Sequence, residues 1–152
     1  MHKALAPLIL ALVPAAACAD PPSACAVITP DAINQIAERK VEQVQQQKSG
    51  NPSQCGFLDS RKAAVLVLSI REVKYAVKDE LFEERSQLEK IYKSKAKDLD
   101  TVGEGGYWQP ANKQLGFRKG KMIVNITFST PKNQNELDSS SIARVVETKL
   151  PK

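Results

Sequence analysis

Residue types that support catalysis are scarce in this sequence, and histidine is the scarcest. The only histidine is His2, beside the N-terminus. A Ser-His-Asp or Cys-His arrangement needs a histidine as its base, and common zinc sites need histidines or several cysteines. Asp and Glu are plentiful, but no spacing singles out a catalytic pair. His2 also lies in the N-terminal signal that is described below and is removed on export. We therefore expect no enzymatic activity, no metal site and no cofactor in the mature chain.

Cysteine offers a structural bond rather than a reactive thiol. Cys25 and Cys55 lie far apart in the sequence, whereas redox pairs usually occur as Cys-x-x-Cys. Two cysteines in an exported protein, which the N-terminal signal described below predicts, are typical of a disulfide. Closing this loop would stabilise the fold by about 3–4 kcal/mol in the chain-entropy model. We therefore predict a structural Cys25–Cys55 disulfide.

A glycine-rich segment at residues 103–106 (Gly-Glu-Gly-Gly) invites comparison with phosphate-binding loops. The P-loop ends in Gly-Lys-Ser/Thr, and the dinucleotide-binding loop runs from a strand into a helix. Here an aromatic pair, Tyr107 and Trp108, follows instead, and the chain continues toward a strand. The segment therefore predicts a sharp turn that glycine's conformational freedom permits.

The aromatic pair has two interpretations. Trp108 is the only tryptophan, and an indole that buries much area can close the edge of a core. An exposed aromatic is instead a typical anchor of a protein interface. Three basic residues on the following hairpin would then complete a binding patch, which gives the candidate site Tyr107, Trp108, Arg118, Lys119 and Lys121.

The first nineteen residues have the features of an export signal. A short basic start precedes an apolar run at residues 4–13, and Ala17-Cys18-Ala19 offers the small residues that signal peptidase accepts. The run is too short to span a bilayer. We predict cleavage before Asp20 and a periplasmic location. The alternatives are secretion or a lipid anchor on Cys18, although Ala15 is smaller than the aliphatic residue that lipoprotein signals prefer.

Charge narrows the class of partner. The net charge is +5, but acidic and basic residues are mixed along the chain and aromatic residues are few. Nucleic-acid binders usually concentrate basic residues on one face with aromatics between them, so we expect no nucleic-acid partner. Contact with a membrane would require lipidation of Cys18.

Hydrophobic periodicity places these residues on a small set of elements. Thr29 and Pro30 begin a helix over residues 30–38. Val41 and Val44 either continue this helix or begin a strand. Residues 54–58 and 63–70 form a hairpin whose second strand is apolar enough to be central and buried on both faces. Residues 113–117 and 121–129 form another hairpin, with near-strict alternation in its second arm. A last helix has an apolar stripe that comprises Ile142, Val145, Val146 and Leu150.

The longest predicted helix covers residues 72–95. Its apolar positions recur at helical spacing, and charged residues fill most of the others, which predicts an apolar stripe on the core and a solvated charged face. The stripe comprises Val73, Val77, Leu81, Leu88, Ile91 and Tyr92. Residues 20–152 are thus predicted to form one α+β domain in which two or three helices pack on an antiparallel sheet with one structural disulfide.

The order of these features resembles small exported bacterial proteins of unknown function, many of them lipoproteins. The residues that carry the resemblance are Cys25, Cys55, Gly103, Glu104, Tyr107, Trp108, Leu115, Lys119, Gly120, Ala143 and Leu150. The chain departs from the pattern at Thr101, where relatives often carry glycine, and at Gly106, where alanine is usual. The resemblance implies a compact α+β sandwich, similar to the photosystem-associated PsbP fold, and it carries over no established activity.

Two functions are consistent with these expectations. The first is an exported binding protein whose partner is another envelope protein, in its narrower form an immunity or inhibitor protein that neutralises a toxin or hydrolase. The second is a carrier of a small apolar or lipid ligand between the sheet and the helices. The two functions differ in whether the protein retains a partner protein or a small ligand.

Overall fold

The structure, a computed structural model, describes residues 21–37, 40–74, 78–128 and 136–151. The predicted signal and Cys18 lie outside the described residues. Three helices and seven strands follow one another in the described ranges: α1 (Pro30–Ala37), β1 (Gln43–Lys48), β2 (Ser53–Leu58), β3 (Ala64–Glu72), α2 (Lys78–Tyr92), β4 (Lys97–Leu99), β5 (Gly106–Gln109), β6 (Gln114–Lys119), β7 (Met122–Phe128) and α3 (Glu136–Glu147).

All seven strands belong to one sheet, in the order β1-β2-β3-β7-β6-β5-β4. Every neighbouring pair is antiparallel. Both predicted hairpins are present, as β2–β3 and β6–β7, and β3 pairs with the central strand β7. The predicted α+β class, with an antiparallel sheet and helices packed on it, is confirmed.

One face of the sheet carries the apolar core. Side chains that lie opposite one another in neighbouring strands point to the same face, and one such row joins Trp108, Leu115, Ile126, Leu68 and Cys55. The helices α1 and α3 cover this row, because Ile33, Ile142, Ala143 and Val146 belong to the same buried cluster. We call this surface the apolar face.

Beyond Val65, which is buried beside a register shift, burial of β3 is one-sided, and this corrects the prediction of a strand buried on both faces. Leu66, Leu68 and Ile70 on the apolar face are fully buried. Val67 and Ser69, which alternate with them, are only half-buried. The apolar run at residues 63–70 therefore belongs to a strand that has one face in the core and the other face toward polar groups.

The disulfide and the N-cap of α1 are both as predicted. Cys25 and Cys55 are bonded, with Cα atoms 5.1 Å apart, so the segment before α1 is tied to β2 beneath the core. The Thr29 hydroxyl accepts a hydrogen bond from the Ala32 amide at 3.3 Å. This bond satisfies one of the amides that the first turn of a helix leaves unpaired.

Helix α2 begins later than the predicted start at residue 72, because strand pairing keeps Glu72 in β3. Arg71 and Glu72 lie opposite Ile123 and Met122 of β7. The Asn51 side chain accepts from the Glu72 amide at 3.0 Å and donates to its carbonyl at 2.8 Å. The sheet therefore overrides the predicted helix at Glu72, and Val77 of the predicted stripe lies outside the described residues.

Candidate functional site

The second face of the sheet carries polar side chains beside the buried Ile123, and charged side chains bind α2 to it. Arg71 donates from Nη1 to Glu80 Oε2 at 2.7 Å and from Nη2 to Glu84 Oε2 at 3.1 Å. Burial alone would lower the pKa of Arg71, but its hydrogen bonds to the two carboxylates outweigh burial and raise the pKa. The guanidinium thus holds two turns of the helix on β3. We call this surface the polar face.

Tyr107 lies on β5, next to the edge strand β4, and its hydroxyl joins a hydrogen-bond network on the polar face. Its hydroxyl donates to Glu84 Oε1 at 2.6 Å and accepts from Gln114 Nε2 at 2.8 Å. Gln114 also donates to Asn125 Oδ1 at 3.1 Å, so the network crosses β5, β6 and β7. Burial, followed by the negative charge of Glu84, raises the pKa of Tyr107 well above its ordinary value. The phenol is therefore a neutral hydrogen-bond donor.

Gly116 provides the room for this ring. A Cβ at that position would lie 2.4 Å from Cε1 of Tyr107, which is far closer than van der Waals contact. Gly116 is directly opposite both Tyr107 and Asn125 in the ladder. The glycine therefore lets the tyrosine ring lie close against the sheet and reach Glu84.

A second group of polar contacts holds the C-terminal half of α2. Arg85 pairs with Asp98 of β4 and donates to the Ala96 carbonyl at 3.2 Å. Glu89 accepts from the Ala96 amide at 2.9 Å, and this bond, ahead of its ion pairs with Lys95 and Arg85, lowers the pKa of Glu89. The prediction that the charged face of this helix is simply solvated is therefore wrong for Glu84, Arg85 and Glu89.

Apolar side chains of α2 face water instead. The exposed fractions are 64% for Phe82, 69% for Ile91 and 44% for Tyr92. Ile91 and Tyr92 belonged to the predicted core stripe, and that part of the prediction is wrong. The reason is that the sheet beneath α2 presents Arg71, Tyr107 and other polar groups, which pair with carboxylates of the helix.

Two surface clefts meet at Phe82 and Arg85. The first has a volume of about 520 Å³ and is lined by Phe82, Arg85, Ser86, Glu89, Lys90, Lys93, Ser94 and Lys95. The second has a volume of about 320 Å³ and is lined by Leu81, Phe82, Arg85, Asp98, Asp100, Glu104, Gly105, Gly106, Tyr107 and Arg118. We call them the basic cleft and the loop cleft.

The five residues of the predicted aromatic and basic patch do not form one surface. Trp108 is only 7% exposed and belongs to the core on the apolar face, which favours the core interpretation of this residue. Tyr107 and Arg118 are buried, and Arg118 pairs with Glu104 at 3.0 Å. Lys119 pairs with Glu147 of α3 at 3.1 Å, whereas Lys121 is exposed at the β6–β7 turn.

The amides of the glycine segment are occupied within the protein. Gly103 donates to Glu147 Oε2 at 3.1 Å, and Glu104 donates to the Arg118 carbonyl at 2.7 Å. Gly103 has φ of +58°, and a Cβ there would lie 2.2 Å from the Arg118 carbonyl oxygen. Its hydrogen bond to Glu147, ahead of Lys119, lowers the pKa of that carboxylate. These contacts favour a tight turn, rather than a phosphate-binding loop, as the interpretation of residues 103–106.

Among the described residues, no group of three or more His, Cys, Asp and Glu side chains is arranged to hold a metal ion. Of the helices in residues 21–37, 78–128 and 136–151, none is both long and apolar enough to cross a membrane. Neither finding bears on the predicted signal, which lies outside these ranges.

Comparison with known proteins adds no assignment: no family model and no curated protein matches this sequence. The resemblance to small exported proteins and to the PsbP fold therefore stays a prediction. The function has to be argued from the site itself.

Sequence reasoning missed Phe82 as a candidate. It lies next to Leu81 on α2 but outside the predicted stripe, among charged residues. A large apolar residue on the charged side of an amphipathic helix has no place in the core, and this is the signal that could have identified it. The polar network around Tyr107 offered no such local signal, because its members come from β3, α2, β5, β6 and β7.

Proposed function

We propose that this protein is an exported, non-enzymatic binding protein whose partner is another protein of the cell envelope. The surface of α2 around Phe82 is the proposed contact. The observation that carries this proposal is that α2 is held on the sheet by ion pairs and hydrogen bonds while its largest apolar side chains face water.

Phe82 is the proposed anchor. Burying a phenylalanine fully is worth roughly 1.5–3 kcal/mol, and a partner can gain part of this because the side chain is 64% exposed. Aromatic side chains at the centre of an interface dominate many binding energies. Phe82 also lines both clefts, so a partner that covers it would meet both.

Charge indicates the chemistry of the partner. Lys90 and Lys93 line the basic cleft, and neither has an ion pair among the described residues. Lys95 already pairs with Glu89 at 3.2 Å. A partner segment with an apolar side chain beside one or more carboxylates would contact Phe82 and these lysines together. Such complementarity would also increase the rate of association at low salt.

Binding is a better interpretation than catalysis for the polar groups of this region. Glu84 accepts from Arg71, Tyr107 and Gln114, so its oxygens are engaged in holding α2. The sole histidine lies in the predicted signal. An immunity or inhibitor protein is the narrower form of the proposal, because such a protein needs a surface and no reactive group.

The carrier of an apolar ligand is the alternative, and the core gives it less support. A ligand site normally requires a cavity of about 300–1,000 Å³. Between the sheet and the helices α1 and α3, side chains from both layers are fully buried and belong to one cluster, including Phe57, Leu68, Leu115, Ile126 and Ile142. Native mass spectrometry of protein purified from its host would reveal a retained ligand.

The proposal is tested by capture followed by a titration. The protein is immobilised, exposed to periplasmic extract of its host, and the captured protein is identified, purified and titrated. Phe82→Asp should weaken its binding at least about 30-fold, the effect of losing roughly 2 kcal/mol at a hot spot. Leu137→Asp is the matched control, because Leu137 is a 75% exposed apolar residue on α3.

Two results would count against this assignment. Equal binding of the Phe82→Asp and Leu137→Asp variants would exclude the α2 surface as the contact. Retention of a lipid with no captured protein would favour the carrier instead.

A double Lys90→Glu, Lys93→Glu variant should weaken binding more at low salt than at high salt, since exposed charges are screened.

A further inference from the structure

Phe82 lies where two clefts of opposite charge meet, because its side chain lines both the basic cleft and the loop cleft. The charged residues that line the basic cleft are Arg85, Glu89, Lys90, Lys93 and Lys95. Those that line the loop cleft are Asp98, Asp100, Glu104, Arg85 and Arg118. Cations outnumber carboxylates in the first cleft, and carboxylates outnumber cations in the second. A partner that covers Phe82 therefore meets both signs of charge.

The arginines of the loop cleft lie beneath its carboxylates. The side chains of Arg85 and Arg118 are 22% and 11% exposed, whereas those of their ion-pair partners Asp98 and Glu104 are 70% and 47% exposed. The third carboxylate, Asp100, is exposed and has no ion pair among the described residues. The loop cleft therefore presents negative charge to an approaching partner, although two arginines line it.

The strand β4 separates the unpaired charges of the two clefts. Lys93 belongs to the segment between α2 and β4, and Asp100 follows β4 directly. A strand advances about 3.3 Å per residue, so the segments before and after the three-residue β4 lie roughly 10 Å apart. Lys93 also has no ion pair within the described part of the chain. The surface thus has two free charges of opposite sign, separated by about three residues of an extended partner segment.

We propose that the partner contacts α2 through a segment with an ordered charge pattern. A carboxylate of this segment binds Lys93, an apolar side chain packs on Phe82, and a basic side chain binds Asp100. The inference rests on the function proposed for α2 and adds the chemistry of the partner to it. An all-acidic segment would place a carboxylate beside Asp100, and an all-basic segment would place an ammonium group beside Lys93. Such like-charge contacts disfavour the wrong partner, so the mixed segment is the occupant that fits.

Three synthetic peptides of equal length test the charge pattern. Each has a central leucine. The mixed peptide carries two glutamates on one side of the leucine and two lysines on the other, the second peptide carries four glutamates, and the third carries four lysines. In fluorescence-polarisation titrations at low salt, the mixed peptide should bind at least about fivefold more tightly than either of the others. Equal affinity for the mixed and the all-glutamate peptide, or no binding of the mixed peptide at millimolar concentration, would overturn the proposal.

Charge reversal in each cleft should change which peptide binds best. Asp100→Lys should make the all-glutamate peptide the tightest ligand, and Lys93→Glu should do the same for the all-lysine peptide. Lys62→Glu is the matched control for Lys93→Glu. Both lysines are exposed and have a left-handed backbone, with φ of +63° at Lys62 and +50° at Lys93, but Lys62 lies in the β2–β3 turn. The control should leave the order of affinities unchanged. Equal effects of Lys62→Glu and Lys93→Glu would mean that only net charge matters, and would contradict the proposal.

Phe82→Asp separates this inference from the function on which it rests. We expect it to weaken binding of the mixed peptide while Asp100→Lys changes the preferred peptide. If Phe82→Asp weakens binding but Asp100→Lys leaves the preference unchanged, the charge pattern is wrong and the α2 contact remains. If Phe82→Asp leaves the affinity for the mixed peptide unchanged, the α2 contact itself is wrong.

Discussion

The two faces of the sheet attach their helices by different physics. On the apolar face, α1 and α3 are held by closely packed side chains and by the Cys25–Cys55 bond. On the polar face, α2 is held by charged groups such as Arg71 and Glu84, which bond to one another and to Tyr107. A helix attached in the second way does not need every one of its apolar side chains for folding, and Phe82, Ile91 and Tyr92 are exposed. Those residues are consequently available at the surface.

The largest expected effect comes from the apolar face. Trp108→Ala should reduce the free energy of unfolding by about 3–5 kcal/mol, because it removes a buried indole and leaves a cavity. Urea denaturation followed by circular dichroism measures the change. Trp108→Phe, which retains a ring, should cost clearly less. A loss below about 1 kcal/mol for the alanine variant would contradict the assignment of Trp108 to the core.

A smaller effect is expected from the polar face. Tyr107→Phe removes only the hydroxyl that bonds Glu84 and Gln114, and should cost about 1–2 kcal/mol of unfolding free energy. Tyr92→Phe is the matched control, since Tyr92 is exposed on the same helix that Tyr107 binds. We expect it to change stability by less than about 0.5 kcal/mol. Equal effects of the two variants would mean that the Tyr107 network contributes nothing to the attachment of α2.

The pH dependence of stability connects the two faces. Glu147 on the α3 side and Glu89 on the α2 side each accept a backbone amide, and both have a pKa below the ordinary value of 4.5. A carboxylate with a lowered folded pKa stabilises the protein above its unfolded pKa, and this contribution disappears as the pH falls through the folded pKa. Stability should therefore decline below about pH 4.5.

Glutamine variants assign that decline to individual groups. Glu147→Gln should remove part of the pH dependence between pH 3 and 6 in urea titrations, because the amide does not ionise. Glu83→Gln, which changes an exposed carboxylate of α2, is the control. If stability were to rise as the pH falls through this range, the direction assigned to both carboxylates would be wrong.

The apolar face was predictable because its signals are local. Alternation in residues 122–128 identified β7, and the apolar run at 63–70 identified β3. The polar face was not, because Arg71, Glu84, Tyr107 and Gln114 are brought together only by the sheet. One local hint existed: Glu80 and Glu84 lie one helical turn apart, and such like charges repel unless a cation lies between them. Arg71 is that cation.

The error in the helix prediction has the same origin. Apolar periodicity assigns a helix's buried side on the assumption that the surface beneath it is apolar. Here that surface is polar, so Ile91 and Tyr92 are exposed while Glu84 and Arg85 face the sheet. The edge strand β1 was ambiguous for another reason, since Gln45, Gln46 and Gln47 favour neither helix nor strand.

The smallest change in stability is expected at Phe82, where it separates a role in binding from a role in folding. Phe82→Ala should change the free energy of unfolding by less than about 0.5 kcal/mol, because the ring is mostly in water and alanine is the better helix former. Leu81→Ala, next to it but half-buried on the side of the loop cleft, should cost more. A Phe82 variant that loses stability as Leu81→Ala does would mean that the ring supports the fold. A Phe82 variant that keeps its stability would show that the ring is not needed for the fold, as the proposed contact on α2 requires.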